Sequence, residues 1–112
     1  TPNVWKLSFR NNRLTEFPAQ IFTHIPSLLR LDLASNFITQ MPDHLGIEAE
    51  GRFSPYANID LTHNKIATLN SVFFTTYPMR IEICLYGNTV QKDENPNQIE
   101  GIILKWSKPG TL

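Results

Sequence analysis

The stretch Leu28-x-x-Leu31-x-Leu33-x-x-Asn36-x-Ile38 decides how this chain folds, because its pattern occurs in three other places. Upstream it reads Val4-x-x-Leu7-x-Phe9-x-x-Asn12-x-Leu14, and downstream Tyr56-x-x-Ile59-x-Leu61-x-x-Asn64-x-Ile66. A fourth row, Arg80-x-x-Ile83-x-Leu85-x-x-Asn88-x-Val90, opens on a charge, and the neighbouring Ile81 supplies the apolar group in its place. The four asparagines stand 24, 28 and 24 residues apart. Self-similarity at a period of this size is the mark of stacked repeats, each too small to bury its own apolar face.

The alternation within each row has period 2, so Leu7 and Phe9, Leu31 and Leu33, Ile59 and Leu61, and Ile83 and Leu85 each face one side of a short strand. Four parallel strands are expected near residues 6–10, 30–34, 58–62 and 82–86, stacked into one apolar wall. An asparagine after such a strand turns the chain, and its amide can satisfy backbone groups that the turn leaves unpaired. Asn12, Asn36, Asn64 and Asn88 are therefore expected to form a buried ladder. Phe17-Pro18 and Met41-Pro42 follow the turns, and Phe22 and Phe74 stand ten residues after Asn12 and Asn64. Their rings are expected to fill the far side of the core, with little regular helix. The second repeat is four residues longer than its neighbours. The excess falls in residues 44–55, where Gly46, Gly51 and Pro55 mark a loop, read as a tolerated insertion.

These rows resemble the leucine-rich-repeat family, whose L-x-x-L-x-L-x-x-N-x-L signature they meet four times over residues 4–90. The resemblance implies an α/β fold: a right-handed solenoid with a curved parallel sheet on its concave face and an irregular or short-helical convex side. Residues 1–90 divide into four repeats at about 4–27, 28–55, 56–79, and 80–90 and following. Residues 91–112 form a C-terminal capping segment. Within it, Asn95-Pro96 reads as a helix start, and Ile99, Ile102, Ile103 and Trp106 recur at helical spacing before Pro109-Gly110. A capping helix over about 96–107 is expected to cover the last repeat. The N-terminal end has no equivalent cover, so the chain is expected to be a fragment of a longer protein.

Composition narrows the function classes. Ten Lys and Arg balance ten Asp and Glu, which removes the basic footprint that nucleic-acid binding uses. No apolar run is long enough for direct membrane insertion. The lone cysteine, Cys84, cannot make an internal disulfide, and no Cys/His pair has zinc-ligand spacing, so no metal or cofactor is expected. The 24-residue rows with Phe22 and Phe74 resemble the type common in extracellular eukaryotic proteins, which implies a receptor or adhesion module. The absence of a cysteine-rich cap and of any Asn-x-Ser/Thr acceptor points instead to an intracellular scaffold or regulatory subunit.

Relatives of this kind usually bind a protein partner on the concave face. The side chains alternating with the buried ones there are Lys6, Ser8, Arg10 and Asn11; Arg30, Asp32, Ala34 and Ser35; Asn58, Asp60, Thr62 and His63; and Glu82, Cys84, Tyr86 and Gly87. Basic residues collect on the first two strands and acidic ones run from the second to the fourth, a grading that suits a complementary protein surface. Lys6, Arg10, Arg30, Asp60, His63, Glu82 and Tyr86 are the candidate partner-binding residues, with Tyr86 ahead of Trp5 as the aromatic anchor. A thiol-dependent enzyme is the competing class, since Cys84, Asp60 and His63 are the parts of a nucleophilic triad. Geometry argues against it: His63 lies three residues beyond the position level with Cys84, about 10 Å along a strand. A base must come within roughly 3 Å of its nucleophile. No catalytic residue is assigned.

Overall fold

The computed structural model describes residues 4–42, 56–69, 80–90 and 102–108. Five short strands form one sheet: β1 (Lys6–Ser8), β2 (Arg30–Asp32), β3 (Tyr56–Asp60), β4 (Arg80–Cys84) and β5 (Ile102–Lys105). Their order in space is their order in the chain, and every pairing is parallel. Parallel neighbours cannot be joined by a tight hairpin. Between β1 and β2 the chain passes through a single helical turn, α1 (Ile21–His24), the one helix among the described residues.

The register is the one the repeat demands: Leu7 lies beside Leu31, Leu31 beside Ile59, and Ile59 beside Ile83. Formal strands end near residues 8, 32, 60 and 84, but the inter-strand ladder continues past them, with Phe9, Leu33 and Leu61 donating to Asp32, Asp60 and Cys84 carbonyls. Leu31, Leu33, Ile59, Leu61, Ile81 and Ile83 are sealed from solvent and form the apolar wall. Phe17, Phe22 and Met41 close the core from the opposite side. Ile81 is fully buried and in register with Ala57, so it does supply the apolar group that Arg80 does not. Phe74, the 44–55 insertion and the Asn95-Pro96 helix start lie outside the described residues.

Over residues 102–105 the expected helix of about 96–107 is corrected by β5, while 96–101 lie outside the described residues. Residues Ile102–Lys105 form a strand, paired parallel with β4 in the register Ile83 to Leu104 and Cys84 to Lys105. The same residues carry two periods: Ile99, Ile102, Ile103 and Trp106 are helically spaced, while Ile102, Leu104 and Trp106 alternate. A window this short cannot choose between them. The open edge of β4 does, by offering carbonyls and N–H groups that a helix would leave unpaired. Leu104 and Trp106 then pack against the core.

Each of the first four strands runs into the same turn. Asn11, Ser35, His63 and Gly87 all have positive φ, at 61°, 58°, 56° and 79°, and each is followed by a ladder asparagine. Asn36 and Asn64 are buried, and each binds backward as well as locally. The Asn64 amide donates to Leu61 O and Thr62 O of its own turn and to Leu33 O of the preceding one, while its Oδ1 accepts from Ile38 N. Asn36 does the same with Leu33, Ala34, Phe9 and Leu14. Half-buried Asn88 bonds Leu85 O, Leu61 O and Ile66 N. Asn12 corrects the expectation of a ladder buried throughout: it is exposed, and its amide reaches only Phe9 O and Arg10 O of its own turn. The asparagine is buried by the repeat in front of it, and no described residue stands in front of Asn12.

Candidate functional site

The polar face of the sheet is a grid written by the register. One row crosses the strands as Lys6, Arg30, Asn58, Glu82 and Ile103, and the next as Ser8, Asp32, Asp60, Cys84 and Lys105. Beyond the formal strand ends come Arg10, Ala34, Thr62 and Tyr86. Neighbours within a row are about 4.8 Å apart, within reach of one another's side chains.

Two of the sixteen positions expected to stand on this face are shut off from solvent: Ala34 and Thr62 are buried. Each is tied to the aspartate two residues before it. Asp32 Oδ1 accepts the Ala34 N–H at 3.1 Å, and Asp60 Oδ1 accepts the Thr62 N–H at 2.9 Å. The Thr62 hydroxyl donates to the same Asp60 oxygen. Both aspartates thus fold over the residue two positions later, holding the chain as it enters its turn.

Arg10 ties the middle of the grid together. Its Nε lies 3.0 Å from Asp32 Oδ2 and a terminal nitrogen lies 3.6 Å from Asp60 Oδ2, so one guanidinium bridges two strands. Ser8 Oγ adds a 3.4 Å hydrogen bond to Asp32. The Asp32 hydrogen bond and charge, with Asp60 adding, hold the Arg10 pKa above its ordinary value against the small opposing effect of burial. Arg10 stays a cation wherever the protein is folded. Further along, Lys105 Nζ is 3.5 Å from Glu82. The charge grading therefore does not end in acid at the fourth strand, because β5 brings a cation back. Lys105 was not among the residues singled out from sequence; the alternation Ile102-x-Leu104-x-Trp106 was the signal that could have found it.

At the turn end of the grid, the His63 ring meets the Tyr86 ring edge-on, with centroids 5.4 Å apart and planes at 77°. The His63 backbone N–H donates to the Tyr86 backbone carbonyl. Gly87 makes this possible, since a Cβ there would lie 2.3 Å from His63 Nδ1. Cys84 faces other partners: its Sγ is 3.4 Å from the Thr62 hydroxyl and 3.7 Å from Ser107 O. The structure thus brings Asp60 and Cys84 onto neighbouring strands and turns His63 toward Tyr86. Among the described residues no group of three His, Cys, Asp or Glu side chains is placed to hold a metal ion, and no helix is long and apolar enough to cross a membrane. No protein-family model and no curated protein matches this chain.

Proposed function

We propose that the chain is a segment of a leucine-rich-repeat solenoid and acts as a non-enzymatic recognition module, binding a protein partner on the concave face of its sheet as part of an extracellular receptor or adhesion protein. The observation that carries the reading is the backward bonding of Asn36, Asn64 and Asn88, each to the turn of the repeat before it. It makes the repeats one continuous body and the polar grid one fixed surface. A fixed array binds without the ordering cost that a loop must meet. Its pairing of Arg10 with Asp32 and Asp60, and of Lys105 with Glu82, gives a surface of alternating sign. Alternation suits a protein partner and offers a nucleic acid no continuous basic track.

Cys84 supports a second reading, an intracellular scaffold or regulatory subunit, because it is a free thiol and thiols persist where the cell is reducing. One experiment addresses both. The chain is tested for binding against arrayed secreted ectodomains and arrayed cytosolic proteins, and the affinity for any partner is remeasured with Tyr86→Ala, Arg30→Ala and a version lacking four residues of the 44–55 insertion. Each point substitution is expected to weaken binding by about 1–2 kcal/mol, roughly tenfold, and the deletion to change little. The opposite pattern would make the insertion the reader and the face a scaffold.

A further inference from the structure

The charges on the polar face do not cancel evenly. Of its three carboxylates, Asp32 and Asp60 are held by Arg10 and Glu82 by Lys105. Among the described side chains of this face, two cations are left over. Lys6 and Arg30 are in register on β1 and β2, both are exposed, and neither has a carboxylate partner among the described residues. Like charges directly across a strand pair are destabilising. The arrangement therefore works against the stability of the edge it occupies, and an anion set between the two ends would relieve it.

We infer that the occupant of this face is a polypeptide that presents an aspartate or glutamate carboxylate to Lys6 and Arg30. The inference rests on the recognition reading above and specifies the chemistry of the partner. The anion is compact, because the described cations Lys6 and Arg30 are followed in their own row by Asn58 and then half-buried Glu82, and in the next row by half-buried Asp32 and Asp60. An extended polyanion laid along the sheet would meet those three carboxylates, whereas a single acidic side chain need not. Arg30 offers a planar fork that can hold both oxygens of a carboxylate, and Lys6 a compact charge beside it. The contact is exposed to solvent, so it contributes more to association rate and choice of partner than to raw affinity.

The test is a selection of random peptides displayed on phage against the intact chain, followed by fluorescence-polarisation titration of synthetic peptides from the enriched pool. Enriched sequences are expected to carry Asp or Glu at one shared position. The Lys6→Glu/Arg30→Glu double variant should bind them about tenfold more weakly and regain binding when that position is changed to Lys. The salt dependence of binding should flatten as well. The milder Lys6→Gln/Arg30→Gln variant controls for folding, and its urea midpoint should equal or exceed that of the parent, since it removes a repulsion. Peptides that depend on Tyr86 but carry no acidic bias, and that ignore both charge variants, would overturn the inference and leave the recognition face standing. A heparin oligosaccharide that binds through Lys6 and Arg30, with no acidic peptide enriched, would overturn it in favour of a sulfated glycan. Failure to enrich any peptide that Tyr86→Ala weakens would count against the face itself, and so against both readings.

Discussion

Asn64 and Asn12 occupy the same place in the same pattern, three residues past the last inward side chain of a strand, yet one is buried and the other exposed. Within the sheet, Asn64 makes its own turn and also bonds the turn before it, so four backbone groups depend on one amide. At the β1 edge Asn12 makes the same turn with two bonds and has nothing behind it among the described residues. The inward side chains follow suit. Ile59 is sealed while Leu7 is half-buried, and Trp5, just before the first strand, is 53% exposed. The repeat motif therefore encodes a turn locally and a solid core only through its neighbour. The opposite edge makes the same point differently: β5 pairs in register with β4, but Pro109 stands where the spacing would place the next asparagine.

The sharpest way to break the comparison is to remove the amide at both places. Asn64→Ala takes away three donated bonds and leaves Ile38 N without its acceptor in a sealed site. A buried unsatisfied N–H costs about 1–3 kcal/mol, and each lost bond adds to it, so a loss of about 3 kcal/mol is expected. Asn12→Ala lets water take over both carbonyls and should cost about 1 kcal/mol or less. Urea unfolding of the two variants measures the difference. Equal losses would mean that the backward bonds contribute nothing and that the asparagine is only a turn former.

This contrast also marks how far the fold was legible. The register, the inward rows and the burial of Asn36 and Asn64 follow from the spacing, because a period of 2 inside a period near 24 admits few arrangements. The edges did not follow. Asn12 looks identical to Asn64 in the chain, and only the three-dimensional neighbour tells them apart. Residues 102–105 read as helix because isoleucines at helical spacing and at strand spacing overlap in so short a window, and the deciding partner, the β4 edge, lies about twenty residues away in sequence. For the candidate site, the face could be enumerated from alternation alone. What alternation could not show is that Arg10 crosses two strands, that Asp32 and Asp60 bond back to the Ala34 and Thr62 N–H groups, or that Lys105 belongs to the grid.

A smaller effect separates the four turns by backbone strain. The residue before each ladder asparagine is left-handed, a conformation that disfavours a Cβ by about 1–2 kcal/mol, and only the fourth repeat uses glycine. Gly87→Ala should destabilise by about 1 kcal/mol after allowing for the stiffer unfolded chain. It should also push the His63 ring off Tyr86, since the new Cβ would sit within 2.3 Å of Nδ1. Loss of the ring-current shift on the Tyr86 proton resonances would report that movement. Ser35→Gly runs the other way: it relieves a strained turn and is expected to gain about 0.5 kcal/mol. A Ser35→Gly variant less stable than the parent would show that the serine side chain contributes more to its turn than the left-handed backbone costs.

The smallest effect concerns Arg10, the side chain of the first repeat that reaches furthest across the sheet. Arg10 is about half exposed, and ion pairs at such sites contribute about 0–1 kcal/mol, so Arg10→Ala should lower stability by about 0.5 kcal/mol. The signature is its dependence on salt and on its partners rather than its size. Removing the guanidinium leaves Asp32 and Asp60, in register on adjacent strands, facing each other without a cation between them. Their repulsion is screened as ionic strength rises, so the deficit should shrink between about 0.05 and 1 M salt, where the screening length falls to roughly 3 Å. Adding Asp60→Asn to Arg10→Ala should recover part of the loss for the same reason, although Asn keeps an oxygen that can still accept from Thr62 N. A deficit that ignores both salt and the second substitution would assign the contribution of Arg10 to the packing of its aliphatic stem on β1 and β2. The edge would then be held by contact, as the interior is, and not by charge.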